Sequence, residues 1–169
     1  MSETRPGAAR DAAPGAKSDL AIASVEAIKL KLPYKRPVSF ASQSESAGHY
    51  VILRIVLSNG TEGVAESVCR PGHTGEDAVT VAYQLETFFK PLLIGADPLG
   101  HLALLAKIAK VRECRAAKML IDVALWDLRG KVFDTFAGDF PFADGTITPS
   151  DAPGFGAALD RRKIEHYAF

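Results

Sequence analysis

The chain has 169 residues, 47% of them hydrophobic and 24% charged, the make-up of one ordinary globular domain with enough core to fold alone. Twenty basic side chains balance twenty acidic ones, so no net field favours nucleic acid or an anionic membrane as a partner. No segment approaches the ~20 apolar residues of a membrane span, no signal peptide is visible, and Cys69 and Cys114 show neither metal-ligand spacing nor a disulfide framework, so a cytoplasmic protein is expected.

Residues 1–20 are rich in Ala, Gly, Pro and charge, with no large apolar residue before Leu20, and read as a disordered tail. From Ile22 to Leu32 the pattern is strand-like, with Ile28, Leu30 and Leu32 expected on the core face and Lys29 and Lys31 in solvent. Residues 33–48 carry two prolines, four serines and no periodicity, and read as a long loop. Two strands follow around Asn59-Gly60, a pair suited to a type I′ turn, with Val51, Leu53, Ile55 and Leu57 as the core face.

A second loop, Val68–Gly75, leads to a helix start at Thr74 with Asp77 three residues on. The stripe Ala78, Val81, Leu85, Phe88 and Leu92 has helical spacing and is expected inward. Asp97-Pro98 reads as a cap and first helical position, opening a helix with Leu102, Leu105 and Ile108 inward. A third helix, from about Glu113 to Lys131, is apolar around most of its circumference and should be packed on several sides. Asp127 stands alone across from its polar stripe, so a structural salt bridge or cap is expected there. After Phe133 the periodicity ends, with one short helical candidate at "DRRKIEHYA".

Three strands followed by helices, "GVAE" at Gly63–Glu66 and above all "IDVALWDLRGKV" at 121–132 resemble the N-terminal capping domain of the mandelate racemase and muconate lactonizing enzyme group of the enolase superfamily. The resemblance covers residues 22–133, and Ala65 stands where a glycine is commoner. It implies a capping domain at 21–133 followed by a modified (β/α) barrel. A barrel takes roughly 250 residues, and only 36 follow residue 133. Instead, residues 134–169, with "APGFGAALD" at 152–160, look like the segment that returns from the barrel to the capping domain, Phe155 and Ala157 departing from its usual pattern. The expected fold is therefore α+β, a three-stranded antiparallel meander followed by a three-helix bundle with no barrel, as if the barrel were deleted between about Phe133 and Asp139.

The resemblance also implies Mg²⁺-assisted proton abstraction beside a carboxylate, with a Lys-x-Lys or His base and three acidic ligands, all on barrel strands. Lys29-Leu30-Lys31 lies instead on the first strand, where solvated lysines are the simpler account. Asp134, Asp139 and Asp144 recur in an irregular stretch unsuited to octahedral Mg²⁺. Glu66 is better explained by pairing with a nearby arginine, and His49, His73, His101 and His166 show no triad or metal spacing. No catalytic residue, no metal site and no cofactor is therefore expected in this chain. By the resemblance, the loops at 34–47 and 68–75 would cover a barrel mouth, where Tyr34, Arg36, Phe40, Arg70 and His73 have the chemistry to contact a carboxylate or a ring. Two functions remain open: a barrel-less capping domain inactive alone, or a binding and assembly module that meets itself or another chain through the barrel-facing surface.

Overall fold

In the computed structural model, which describes residues 20–40, 43–132, 142–143, 146–147 and 161–168, strands β1 (Ile22–Phe40), β2 (Gln43–Leu57) and β3 (Glu62–Val68) form an antiparallel meander with β2 at its centre. Helices α1 (Pro71–Thr74), α2 (Ala78–Gln84), α3 (Lys90–Leu93), α4 (His101–Ile108) and α5 (Arg115–Val132) follow, with a π turn at Leu85–Phe89 joining α2 to α3. Two-residue strands β4 (Phe142–Ala143) and β5 (Thr146–Ile147) and helix α6 (Arg161–Tyr167) complete the described elements. This is the α+β architecture read from the sequence, and α6 falls on the short helical candidate. Asp134, Asp139, Asp144 and most of the 1–20 and 134–169 stretches lie outside the described residues, although Leu20 packs against the core.

Strand pairing decides which face of β1 meets the helices. Val25 pairs with Ile55, Ala27 with Leu53 and Lys29 with Val51, and paired residues in an antiparallel ladder share a face. Val51, Leu53, Ile55 and Leu57 are all buried in the core, as expected. Their partners on β1 are therefore Lys29, Ala27, Val25 and, beyond a register shift, Ile22. Ile28, Leu30 and Leu32 lie on the opposite face with Ile52, Tyr50 and Gly48, so the expected core face of this strand is reversed. That second face is not simply wet: Leu30 and Ile52 are buried, and Leu30 bridges to Ala168 just past α6.

The expected long loop at 33–48 is instead the continuation of the β1–β2 hairpin. Its pairing passes from Pro33↔Ala47 to Val38↔Glu45, leaving Tyr34, Lys35, Arg36 and Pro37 opposite Ser46 alone. Pro33 and Pro37 cannot donate to a ladder, so the strand bulges there and resumes as far as Phe40↔Gln43. The β2–β3 connection also differs from expectation. Only Gly60 takes a positive φ, of 87°, while Asn59 does not. The amide of Leu57 bonds Thr61 and that of Gly60 bonds Leu57, giving a three-residue connection in place of the type I′ pair.

Asp77, not Thr74, caps α2, accepting from the amides of Val79 and Thr80. Ala78, Val81 and Leu85 point inward as expected, and then the helix changes phase. Pro91 has no N–H and crowds the preceding turn, and the amide of Lys90 bonds Leu85, five residues back. The extra residue puts Phe89 and Leu93 into the core and turns Phe88 and Leu92 outward. In α4 the inward residues are His101, Leu104 and Ile108, whereas Leu102 is 82% exposed. Asp97 there makes a turn with the amide of Leu99, and the helix begins three residues later than the Asp-Pro pair indicated.

Helix α5 starts at Arg115 because Glu113 and Cys114 hold positive φ angles of 54° and 53°. It packs on β3, β2, α2 and α4, but Met119 and Trp126 remain exposed, so it is less enclosed than its sequence indicates. Asp127 is the buried structural acid that was expected: it accepts from the amide of Val64 at 2.9 Å and from Lys131 at 2.8 Å. Lys131 also donates to the carbonyl of Glu62. The two side chains thus satisfy the outer backbone groups of edge strand β3, which would otherwise invite another strand.

Candidate functional site

The far end of the β1–β2 hairpin meets the segment after β3 in a polar cluster. The bulge carries Tyr34 into it, β2 supplies Glu45, Gly48 and Tyr50, and Arg70 arrives just before α1. The Arg70 guanidinium donates to the Tyr34 hydroxyl at 3.1 Å, and its Nε lies 3.4 Å from a Glu45 carboxylate oxygen. These contacts, the Tyr34 bond first and the Glu45 charge after it, hold the guanidinium firmly protonated. Burial raises the Tyr50 phenol above its ordinary value, with the Tyr34 hydrogen bond and charge and the Glu66 carboxylate adding to the effect.

Gly48 makes the cluster possible. A Cβ built there would lie 2.5 Å from the Tyr50 ring and 2.7 Å from the Tyr34 hydroxyl, so both phenols close over a bare backbone. The result is an arginine flanked by a carboxylate and two phenols, groups whose chemistry suits an anionic or aromatic partner.

Of the five candidates read from the sequence, the structure brings Tyr34 and Arg70 into contact. Arg36 is exposed on the bulge, His73 is exposed on α1, and Phe40 pairs with Gln43 at the hairpin tip. Sequence reasoning passed over Glu45, Gly48 and Tyr50, because it treated 33–48 as irregular and so could not place them beside Tyr34. Register was the missing signal, since Leu32↔Gly48 and Leu30↔Tyr50 put both residues on the face away from the helices.

The match to known proteins settles the lineage of this scaffold. The family model described as mandelate racemase / muconate lactonizing enzyme, N-terminal domain, matches residues 23–136. The chain belongs to this family. A chloromuconate cycloisomerase of Cupriavidus pinatubonensis is 33% identical over 113 residues, 65% of this chain and 30% of that protein. Among solved structures, the muconate lactonizing enzyme of Pseudomonas fluorescens complexed with muconolactone shares a TM-score of 0.64 and 30% identity, covering 66% of this chain and 31% of that one. An N-succinyl Arg/Lys racemase of Bacillus cereus gives a TM-score of 0.63 at 25% identity, again over 66% and 31%. The chain thus spans about 30% of the length of the relatives it matches.

Among the described residues, no three His, Cys, Asp or Glu side chains converge to hold the Mg²⁺ that the family implies. Lys29 is half-buried on the helix side of the sheet and Lys31 is exposed. Glu66 is exposed opposite Ile52, and no ion pair with an arginine forms there among the described residues, contrary to expectation. His101 is buried with Nε2 2.7 Å from Asp122 and its ring 4.9 Å from that of Trp126, a packed structural pair between α4 and α5. No helix among the described residues is long and apolar enough to cross a membrane.

Proposed function

We propose that this chain is a capping domain of the mandelate racemase and muconate lactonizing enzyme family that has no catalytic activity by itself and takes no cofactor. Its hairpin end is the part that meets substrate, with Tyr34 and Arg70 at the centre and Arg36, Phe40 and His73 around them. The cluster at Arg70 carries this reading, since a guanidinium braced by two neighbours and covered by phenols suits a carboxylate. Residues 134–169 act as the returning C-terminal segment, a role that the Leu30–Ala168 bridge supports. The relatives' names give the chemistry of the whole enzymes as cycloisomerisation and racemisation. That chemistry needs a base and metal-binding acids, which family members carry on their barrel strands.

The test is solvent exchange. The purified chain is incubated with Mg²⁺ in deuterated buffer with muconolactone and N-succinyl-lysine, and α-deuteration is followed by NMR. The expected result is exchange no faster than in buffer. Exchange above that rate, lost in Arg70→Ala, would place catalysis in this chain.

A second reading, an assembly module that meets itself or another chain through the barrel-facing surface, draws on α5, where Met119 and Trp126 stay exposed beside half-buried Val123. Mixing with a full-length relative and measuring co-elution tests it, and Trp126→Ala should abolish any complex.

A further inference from the structure

The phase slip at the π turn has a consequence on the outer side of the same helix. Val79, Tyr83, Phe88 and Leu92 are exposed by 56%, 58%, 44% and 37%. Their spacing is four, five and four residues. On an unbroken α-helix the five-residue step would swing Phe88 about 140° from Tyr83, onto another face. The wider turn at Leu85–Phe89 absorbs the extra residue and restores the alignment. Tyr83 and Phe88 accordingly touch edge to face, with ring centroids 5.7 Å apart. Four large apolar side chains therefore form one continuous ridge along α2, the π turn and α3, with the Glu86–Lys90 ion pair on the same stretch.

We propose that this ridge is the contact surface for a second copy of the chain, packed antiparallel about a two-fold axis at Phe88. The ridge is complementary to itself. With the axis at Phe88, Phe88 meets its own symmetry mate, Tyr83 falls beside the other copy's Leu92, and Glu86 falls beside its Lys90. Each copy thus presents an acid where the other presents a base, and twenty positive and twenty negative side chains leave no net repulsion between copies. A single amphipathic ridge of this kind meets its partner as ridges pack into grooves. The proposal concerns a different helix from the assembly reading above and stands apart from it.

Sedimentation equilibrium of the 169-residue chain over a concentration series tests it. The expected result is a reversible monomer–dimer equilibrium, weakened at least about 30-fold by Tyr83→Glu or Phe88→Glu. Lys90→Glu and Glu86→Lys should each be monomeric alone and form a heterodimer when mixed. Circular dichroism checks the fold of each variant, and because Glu86 also accepts from the amide of Ala27, Val79→Glu, at a position that is 56% exposed, serves as the further disruptor. A chain that is monomeric at every concentration, a dimer indifferent to Tyr83→Glu and Val79→Glu, or a charge-swapped pair that stays monomeric on mixing overturns the proposal.

Discussion

The helix side of the sheet and the far end of the β1–β2 hairpin are built from the same two strands, yet they are held by different physics. On the helix side Val51, Leu53, Ile55 and Leu57 meet Leu120, Ile121, Leu125 and Leu128 in a core that excludes water. At the far end the strands carry no such core, and Tyr34, Glu45, Tyr50 and Arg70 hold together by hydrogen bonds and charge. Loss of one core side chain leaves a cavity, whereas loss of one cluster member leaves partners that water can reach. Stability therefore belongs to one region, and the proposed recognition to the other.

The sharpest way to break this comparison lies in adjacent residues. Phe89→Ala should cost about 3–5 kcal/mol in urea unfolding of the monomer, because it opens a cavity in the core, while Phe88→Ala, at concentrations too low for association, should stay within about 0.5 kcal/mol. Equal effects would mean that the helix has no π turn. Next, Asp127→Ala leaves the Val64 amide without an acceptor and Lys131 without its carboxylate, and should cost about 3 kcal/mol. Asp77→Ala removes the cap of α2 and should cost about 1 kcal/mol.

Smaller effects are expected at the hairpin end. Arg70→Ala should lower stability only slightly, less than Asp77→Ala does, since its ion pair is open to solvent. The Tyr50 phenol titrates above its ordinary value in the folded chain, so the stability it adds is present below about pH 10 and lost as pH rises beyond that point. Thermal melts in alkaline buffers should show this loss in the parent and a shallower one in Tyr50→Phe. At neutral pH the Cys69 thiol, pushed up to about 11 by burial and then by Glu76 and Asp77, should label with iodoacetamide far more slowly than Cys114.

How much of this was legible in the sequence depended on whether a residue's place is set locally. The core face of β2 and the burial of Asp127 followed from alternation and from the cost of an unpaired charge. The family resemblance, carried by "ALWDL-x-GK", placed the meander and the helices. Phe88 and Leu92 were misplaced because one proline changes the helix phase, which a fixed 100° period cannot anticipate. The face of β1 was reversed because a strand with apolar residues on both sides leaves the choice to its partner, and Val25↔Ile55 settles it. The polar cluster was half legible. Tyr34 and Arg70 had the right chemistry, but only register brings Gly48 and Tyr50 to them.

The central claim is that this domain holds its fold without a barrel, and amide hydrogen exchange of the purified chain tests it most directly. The account predicts slow, cooperative exchange for Val51–Leu57 and Leu120–Leu128, with faster exchange for Tyr34–Arg36 and Ser44–Ser46 at the hairpin end. Uniformly fast exchange across both sets would contradict it, because a scaffold that needs a barrel to fold could position neither the Arg70 cluster nor the helix ridge.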